Sequence, residues 1–439
     1  MDQTIEKLYK TMSFDQLTRL NNEQVLDLFT PDEKETLATR HWSFEVNVPV
    51  VVSVMVSERL SVVPFWLTEK GFQKTNLTMK NEQTVYDVWQ KSFKAGRVGL
   101  GVNSFDQDLG MHYFVSVAPE NKTDQLILTN FFPEKQFVGV LDNGAFTYHD
   151  WDELVLTDVP EALKGQKLLT TTRGRTADSH LIGAFRSTKY PSSATPDQVH
   201  LSWSSDPATT MDIQWRTDTT VQQSEVRFRE KSAAKEQTIP AAKIRLEDRM
   251  LANDRYVNHF TASLTNLKPG TSYEYVVGEK AGWDEAGTFS TAAKDNSYSF
   301  LWFGDTHFSS KFGEILHLSY EKHPDAAFYS IVGDLVSDGL FRNQWDELFG
   351  FSRGVIDCIP LMAVPGNHDN RAGLGAQLFR DQFSYPLNAP DGVPTEQTYS
   401  FTYKNTLFLM IDATSPMDPQ TPWIEKQLAE SKATWKIAM

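Results

Sequence analysis

The sequence predicts a multidomain chain in which two β-sandwich-like domains precede an α/β domain. Between residues 41 and 293, apolar and polar residues alternate over many short segments, which is the pattern of half-buried antiparallel strands. After residue 293 the pattern changes to apolar runs that alternate with helical segments, which is typical of βαβ units around a parallel sheet. A length of 439 residues is enough for several domains at roughly 100–200 residues each.

Residues 1–40 are predicted to form a helical segment. Leu17, Leu20 and Val25 fall at helical intervals. The run Thr30-Pro31-Asp32-Glu33 has the form of an N-cap followed by proline at the first helical position. We interpret this segment as a short helical preface to a β domain.

Residues 41–190 are predicted to form a β-rich domain. Apolar residues alternate with polar ones from Trp42 to Val48 and again from Val98 to Val102, as expected for half-buried strands. The pattern indicates a β-sandwich-like domain without indicating its family. A linker follows, because residues 190–196 are rich in proline and serine.

Residues 195–293 are predicted to form a second antiparallel sandwich. Short alternating segments recur with turn signals between them, and about 100 residues suit one such domain. Trp203 and Trp215 lie in two of these segments, and we expect both side chains to be buried.

Residues 295–439 are predicted to contain a parallel sheet. Apolar strands at 298–303, 326–332 and 361–364 are separated by helical stretches at about 310–322 and 341–356. Ligands of open parallel sheets bind at the carboxyl ends of the strands. Each of these three strands ends in a polar cluster, and the clusters are Gly304-Asp305-Thr306-His307, Gly333-Asp334-Leu335-Val336-Ser337-Asp338-Gly339 and Pro365-Gly366-Asn367-His368-Asp369-Asn370.

The three clusters together predict a metal site. They supply carboxylate, amide and imidazole groups, which are the ligands of hard and borderline divalent metals. A carboxylate can bridge two ions because both of its oxygens carry free lone pairs. Each cluster alone is a weak signal, whereas all three in this order, each after a buried strand, are a strong one.

The order Asp-x-His, Gly-Asp and Gly-Asn-His-Asp resembles the calcineurin-like metallophosphoesterase superfamily, which implies an αββα sandwich for residues 295–439. The segments 196–201 and 267–275 resemble the fibronectin type III-like domain that precedes the catalytic domain of purple acid phosphatases. The resemblance implies a hydrolase that cleaves phosphate esters, as an acid phosphatase-like phosphomonoesterase, with a binuclear metal centre of two divalent or trivalent ions of Fe, Mn or Zn.

The resemblance also implies roles for individual residues. Asp305 and His307 would bind the first metal ion. Asp334 would bridge the two ions, and Asn367 would bind the second. Each of these four residues occupies the position of a metal ligand in the superfamily pattern.

Two further residues would act in catalysis. His368 would contact the phosphate or protonate the leaving oxygen, and Asp369 would orient His368. Asp338 is either another supporting residue of the site or a turn residue before Gly339, and the sequence leaves both interpretations open.

The pattern departs from that of purple acid phosphatases at two positions. His307 stands where those enzymes have glycine, and Ser337 stands where they have tyrosine. Because a tyrosinate–iron bond gives those enzymes their colour, we expect this protein to be colourless.

The catalytic domain is expected to be incomplete at its C-terminus. The superfamily completes its site with three later histidines, and none of the ten histidines of this chain lies after His368. Residues 435–439 resemble the strand that leads into the next histidine motif. This chain is therefore expected to be a fragment that lacks part of the active site.

Composition argues against several other functions. A net charge of −15 with no basic run argues against binding of duplex nucleic acid. The apolar stretch from Val48 to Val56 is too short for a bilayer, which needs about 20 residues, so no membrane partner is expected. The start of the chain lacks the pattern of a signal peptide, although the resemblance to secreted phosphatases favours export.

Two alternatives remain beside the phosphomonoesterase. The same metal centre would serve a phosphodiesterase or a nucleotide-sugar hydrolase. A protein of another class, a non-catalytic binding or adhesion protein with a degenerate phosphoesterase domain, would also carry two sandwiches.

Overall fold

The computed structural model describes residues 1–107, 111–134, 136–231, 233–278, 282, 286–371 and 373–439, without the side chains of 151–153. The chain divides into two compact units. The first unit is Met1–Phe185 with Ala372–Leu374, and the second is Arg186–Arg371 with Gly375–Met439. Among the described residues, every helix is too short or too polar to cross a membrane.

In the described part of the first unit, four short helices come first and a fifth one follows later. The predicted N-cap at Thr30 is confirmed, since its hydroxyl accepts a hydrogen bond from the Glu33 backbone N–H while the Glu33 carboxylate accepts from the Thr30 N–H. The helices are α1 (Asp2–Thr11), α2 (Phe14–Leu17), α3 (Asn22–Leu28), α4 (Pro31–Thr39) and α5 (Phe65–Glu69).

The rest of the first unit is formed mainly by antiparallel strands. They are β1 (Trp42–Val46), β2 (Val50–Ser57), β3 (Gln73–Asn81), β4 (Val85–Phe93), β5 (Gly96–Leu100), β6 (Phe114–Pro119), β7 (Leu128–Phe132), β8 (Phe137–Val140), β9 (Phe146–Tyr148), β10 (Trp151–Asp158) and β11 (Lys167–Thr170), with a 3-10 helix at Arg173–Ser179. Three strands pair in the order β5-β1-β7, and eight pair in the order β8-β11-β6-β2-β4-β3-β10-β9.

Strand β2 explains the apolar stretch that the sequence shows from Val48 to Val56. It lies in the middle of the eight-stranded sheet, and its two faces meet two different cores. Val52 and Val54 belong to one core and Met55 to the other. A strand buried on both faces reads as a continuous apolar run.

The second unit begins with two four-stranded antiparallel sheets, and we call residues 197–290 the two-sheet domain. As predicted, Trp203 and Trp215 are fully buried. The strands are β12 (Asp197–Ser202), β13 (Met211–Thr217), β14 (Glu225–Glu230), β15 (Gln237–Pro240), β16 (Ala242–Glu247), β17 (Tyr256–Leu264), β18 (Ser272–Val277) and β19 (Gly287–Ser290). They pair in the orders β12-β13-β17-β16 and β15-β14-β18-β19.

The α/β domain follows in the same unit. Its elements are β20 (Ser299–Phe303), α6 (Ser310–Lys322), β21 (Ala326–Ile331), α7 (Arg342–Ser352), α8 (Gln377–Gln382), β22 (Tyr399–Tyr403), β23 (Thr406–Met410), α9 (Met417–Glu430) and β24 (Trp435–Ala438). Strand β20 runs parallel to β21, and β22-β23-β24 form a second sheet in which β24 runs parallel to β23.

The predicted third strand at 361–364 is present only as two parallel bridges to the segment at β21, Tyr329–Leu361 and Val332–Val364. The segment is short and ends at Pro365, which has no backbone N–H. On its other side, the Leu361 N–H donates to the carbonyl oxygen of Leu201 in β12. The segment therefore joins the α/β domain to the two-sheet domain.

The two domains of the second unit share one apolar core. The ring of Trp203 lies 5.8 Å from that of Phe328 in β21 and 5.5 Å from that of Tyr403 in β22. Aromatic pairs at such separations stabilise a core beyond the area that they bury. The two-sheet domain thus packs as part of the body that carries the polar clusters.

Candidate metal centre

The backbone brings the three polar clusters to one edge of the parallel sheet. The Asp305 N–H donates to the Gly333 carbonyl at 3.1 Å, and the His307 N–H donates to the Asp334 carbonyl at 2.9 Å. The Gly333 N–H donates to the Val364 carbonyl at 2.9 Å, which joins the third cluster to the second. The backbones of the three clusters therefore meet at one sheet edge.

The backbone at this edge is strained. Four non-glycine residues have positive φ angles, Asp305 at 50°, His307 at 46°, Phe308 at 48° and Asp334 at 52°. Such conformations cost on the order of 1–3 kcal/mol each and tend to cluster at functional sites. Favourable interactions in the rest of the fold must therefore offset this cost and hold the loops in place.

Gly366 makes the close approach of two loops possible. A Cβ atom added at Gly366 would lie 2.2 Å from Oδ1 of Asp334, which is far inside van der Waals contact. Only glycine lets the third loop come this near to the carboxylate. The Asp334 carboxylate is thus enclosed on one side by backbone.

Three side chains gather at the edge. His307, Asp334 and His368 each offer one ligand atom, and these atoms lie within 4.8 Å of one another. Nε2 of His307 lies 3.8 Å from Oδ2 of Asp334, and the two imidazole rings are 4.9 Å apart and nearly perpendicular. We call these three residues the ligand trio.

Ser337 holds both imidazoles. Its hydroxyl lies 3.1 Å from Nδ1 of His307, and its carbonyl oxygen lies 2.8 Å from Nδ1 of His368. A carbonyl oxygen only accepts, so Nδ1 of His368 carries the proton and donates it. The Nε2 atom of neutral His368 is then the nitrogen with the free lone pair.

Asp369 plays a different part from the predicted one. In place of contact with the His368 ring, its buried carboxylate accepts from the backbone N–H groups of Leu335, Val336 and Gly366 at 2.9–3.1 Å. Burial raises the pKa of Asp369 to about 7, against the effect of these three donors. Asp369 therefore fixes the loops rather than the imidazole.

Asp305 and Asn367 stand beside the ligand trio but outside it. Both are exposed, and neither side chain makes a hydrogen bond within the described ranges. Their backbones adjoin the trio, because Asp305 is bound to Gly333 and His368 donates its N–H to Oδ1 of Asp334 at 3.0 Å. Their roles as metal ligands stay predictions.

Both interpretations of Asp338 fit the structure. Its Oδ1 accepts from the Leu340 N–H at 3.1 Å, as in a turn, and its Oδ2 lies 2.8 Å from Nε of Arg371. Burial raises the pKa of Asp338, and Arg371 opposes that rise. The sequence analysis missed Arg371, although its place just after the third cluster could have signalled it.

The residues present fit a bound metal ion. Two imidazoles and a carboxylate suit Zn, Mn or Fe. The trio is the one group of three or more His, Cys, Asp or Glu side chains with such spacing in the part of the chain that the structure describes.

Comparison with known proteins supports the resemblance. Residues 196–291 match the family model of the purple acid phosphatase N-terminal domain, and residues 298–439 match that of calcineurin-like phosphoesterases. The predicted resemblance is confirmed for both domains of the second unit. Metal ions are implied by these two families.

The relatives found are distant. Two uncharacterized proteins of Mycobacterium tuberculosis, from strains CDC 1551 / Oshkosh and ATCC 25618 / H37Rv, are each 25% identical over 227 residues, which is 46% of this chain. The matched part spans 42% of each relative's length, less than half of these curated proteins.

Two solved structures are similar at low identity. One is a purple acid phosphatase, PPD1, from yellow lupin (Lupinus luteus) seeds, with a TM-score of 0.47, 13% identity, and coverage of 89% of this chain and 66% of that one. The other is PhoD, with a TM-score of 0.39, 14% identity, and coverage of 56% and 62%.

Proposed function

Because residues 298–439 carry a calcineurin-like phosphoesterase domain, we propose that this site hydrolyses phosphate monoesters with two bound metal ions. The observation that supports the proposal is the ligand trio, in which His307 and His368 meet Asp334 at the end of a parallel sheet.

His307, Asp334, Asp305 and Asn367 would hold the ions. Bound ions of this kind polarise phosphoryl oxygens and lower the pKa of bound water. The two carboxylate oxygens of Asp334 face different neighbours, the His368 N–H and the His307 ring. This carboxylate is therefore the best placed group of the four to serve two ions.

His368 would act as the general acid that protonates the leaving oxygen. Its Nδ1 is fixed on the Ser337 carbonyl, so proton exchange takes place at Nε2. The side chain is exposed, which gives a substrate access to that nitrogen. A positioned imidazole that protonates a leaving oxygen typically contributes 10²–10⁴-fold to the rate, an order-of-magnitude figure.

The test measures metal binding first and turnover second. Wild-type protein is titrated with Mn²⁺ and Zn²⁺ by calorimetry, next to His307→Ala and the control His323→Ala, an exposed histidine at the end of α6. We expect the wild type and His323→Ala to bind, and His307→Ala to bind at least about tenfold more weakly.

Turnover is measured with an aryl phosphate monoester and an aryl phosphate diester. Hydrolysis of the monoester that needs the metal supports the proposal, and faster hydrolysis of the diester would contradict the stated substrate class. If the wild type binds neither Mn²⁺ nor Zn²⁺, the proposal is wrong and the non-catalytic alternative is favoured.

A further inference from the structure

We infer that Gln344 is a positioning residue for the two imidazoles of the ligand trio, and that the two-sheet domain holds Gln344 in place. The inference rests on the proposed function, since that function gives His307 a metal ion to bind and His368 a proton to transfer. Gln344 lies in the first turns of α7, after the loop that carries Asp334.

Gln344 acts through Ser337. Its side-chain oxygen Oε1 accepts two backbone hydrogen bonds, from Ser337 at 2.9 Å and from Asp338 at 2.8 Å. An amide oxygen has two lone pairs, and both are used here. Ser337 in turn contacts Nδ1 of His307 and Nδ1 of His368. One amide oxygen thus fixes the residue that orients both rings.

The turn from 335 to 339 has a partner for each backbone N–H. Asp369 accepts from 335 and 336, Gln344 accepts from 337 and 338, and the His368 carbonyl accepts from 339. Buried N–H groups need such partners, so the loss of either side-chain acceptor would leave two donors of the turn unpaired. Asp369 fixes its first half and Gln344 its second half.

The two-sheet domain fixes the start of α7. Oδ2 of Asp248 accepts from the Arg342 N–H at 3.0 Å, and Oδ2 of Asp254 lies 3.2 Å from Nη1 of Arg342. One turn later, Oδ1 of Asp346 lies 2.8 Å from Nη1 of Arg216 in β13.

These ion pairs are deeply buried. Arg342 and Asp346 are each only 1% exposed. Breaking one partner of such a pair leaves an uncompensated buried charge, so the helix start cannot shift freely. Gln344 lies between Arg342 and Asp346 on the same helix and therefore has a fixed position.

The test compares four variants. Gln344→Met removes the acceptor at similar length, and Gln344→Asn keeps the amide but withdraws it by one methylene. Gln344→Glu restores an oxygen acceptor at the same length. The matched control is Gln377→Met, an exposed glutamine in α8 of the same domain.

Two readouts are taken. The first is the tautomer of His307 and His368 in metal-free protein, from ¹⁵N spectra of histidine-labelled samples assigned by single substitutions. The second is Mn²⁺ affinity by calorimetry. We expect Gln344→Met and Gln344→Asn to reduce the Nδ1-protonated population of His368 and to weaken Mn²⁺ binding by about 10–100-fold. Gln344→Glu and Gln377→Met should stay within about threefold of the wild type.

The inference is wrong if Gln344→Met keeps both the tautomer and the affinity of the wild type. It is also wrong if affinity falls while the tautomer stays unchanged, because Gln344 would then act by another route. If Gln344→Met fails to fold, Gln344→Asn decides by the same criteria. A wild type that binds neither Mn²⁺ nor Zn²⁺ contradicts the proposed function, and the metal-free tautomer readout still decides the role of Gln344.

Discussion

Two pairs of histidines in the second unit have similar distances between their rings but lie in different surroundings. The rings of His307 and His368 lie 4.9 Å apart, and those of His200 and His259 lie 5.8 Å apart. The first pair stands at the sheet edge beside Asp334, and the second is buried in the two-sheet domain. The environment of each pair decides its chemistry.

The buried pair is used for packing. Nδ1 and Nε2 of His200 lie 2.8 and 2.7 Å from the carbonyl oxygens of Gln198 and Gln382, and its ring lies 4.8 Å from that of Phe349. Burial lowers the pKa of His200 to about 4 and that of His259 to about 3. Both rings are neutral at pH 7, and the Nε2 atom of His200 is occupied by backbone.

The pair at the sheet edge keeps a nitrogen available. Ser337 occupies Nδ1 of both rings, while Nε2 of His307 points toward Oδ2 of Asp334. The two pairs therefore differ in two respects, since only the pair at the sheet edge lies beside a carboxylate and keeps its Nε2 atoms free of backbone partners.

The largest expected effect comes from the carboxylate. Asp334→Asn keeps the shape of the side chain but removes the charge between the two imidazoles. We expect Mn²⁺ affinity, measured by calorimetry, to fall by more than about 100-fold, since loss of a supporting residue alone costs about 10–100-fold. Asp418→Asn, at an exposed position in α9, is the control. Equal affinity of Asp334→Asn and the wild type would show that the Asp334 carboxylate does not hold the ion.

The second prediction compares the loss of stability when one ring is removed from each pair. His200→Ala removes a buried ring and leaves one backbone carbonyl without its donor, since a neutral imidazole carries a single N–H, so we expect the free energy of unfolding to fall by about 2–4 kcal/mol. His368→Ala removes an exposed ring and should change it by less than about 1 kcal/mol. Urea denaturation of metal-free protein measures both. Similar losses for the two variants would contradict the distinction between packing and ligand pairs.

The third prediction concerns pH and His259. Neither of its ring nitrogens has a hydrogen-bond partner among the described residues, and its pKa is lowered to about 3 by burial and by His200. Below the unfolded pKa of about 6.5, the unfolded chain binds a proton that the folded chain does not, so the wild type loses about 1.4 kcal/mol of stability per pH unit through this group.

His259→Phe removes this loss. Relative to the wild type, the variant should gain about 2 kcal/mol between pH 7 and pH 5, measured by urea denaturation at both values. Glu396, whose pKa burial raises to about 7, changes stability in the opposite direction but is present in both proteins, so it cancels in the difference. A pH-independent difference between the two proteins would mean that folding does not lower the pKa of His259.

Sequence reasoning succeeded where the signal is local. The helix predicted at about 310–322 is observed as α6, Ser310–Lys322, because apolar spacing marks such a helix without reference to the rest of the fold. The meeting of His307 and Asp334 could also be predicted, since each follows a strand of one parallel sheet, whereas the side chains of Asp305 and Asn367, expected at the same centre, lie outside the trio.

Sequence reasoning failed where several loops meet. The partners of Asp369 are backbone N–H groups whose directions are set only once the turn at 335–336 has formed. The roles of Ser337 and Gln344 depend on the same turn, and glutamine on a helix carries no spacing signal. The predicted helix at 341–356 also ends early, at Ser352, where the chain turns back toward the sheet segment at 361.

The smallest expected effect comes from a substitution that removes the contact to one imidazole of the site and keeps the contact to the other. Ser337→Ala removes the hydroxyl that contacts His307 but keeps the carbonyl that accepts from His368. One hydrogen bond contributes about 1 kcal/mol, so Mn²⁺ affinity should fall by roughly fivefold. The ¹⁵N spectrum should change for His307 and stay the same for His368, because only the hydroxyl is lost. A change at His368 of equal size would mean that the substitution moves the whole turn, and the hydroxyl would then have no separate role in holding His307.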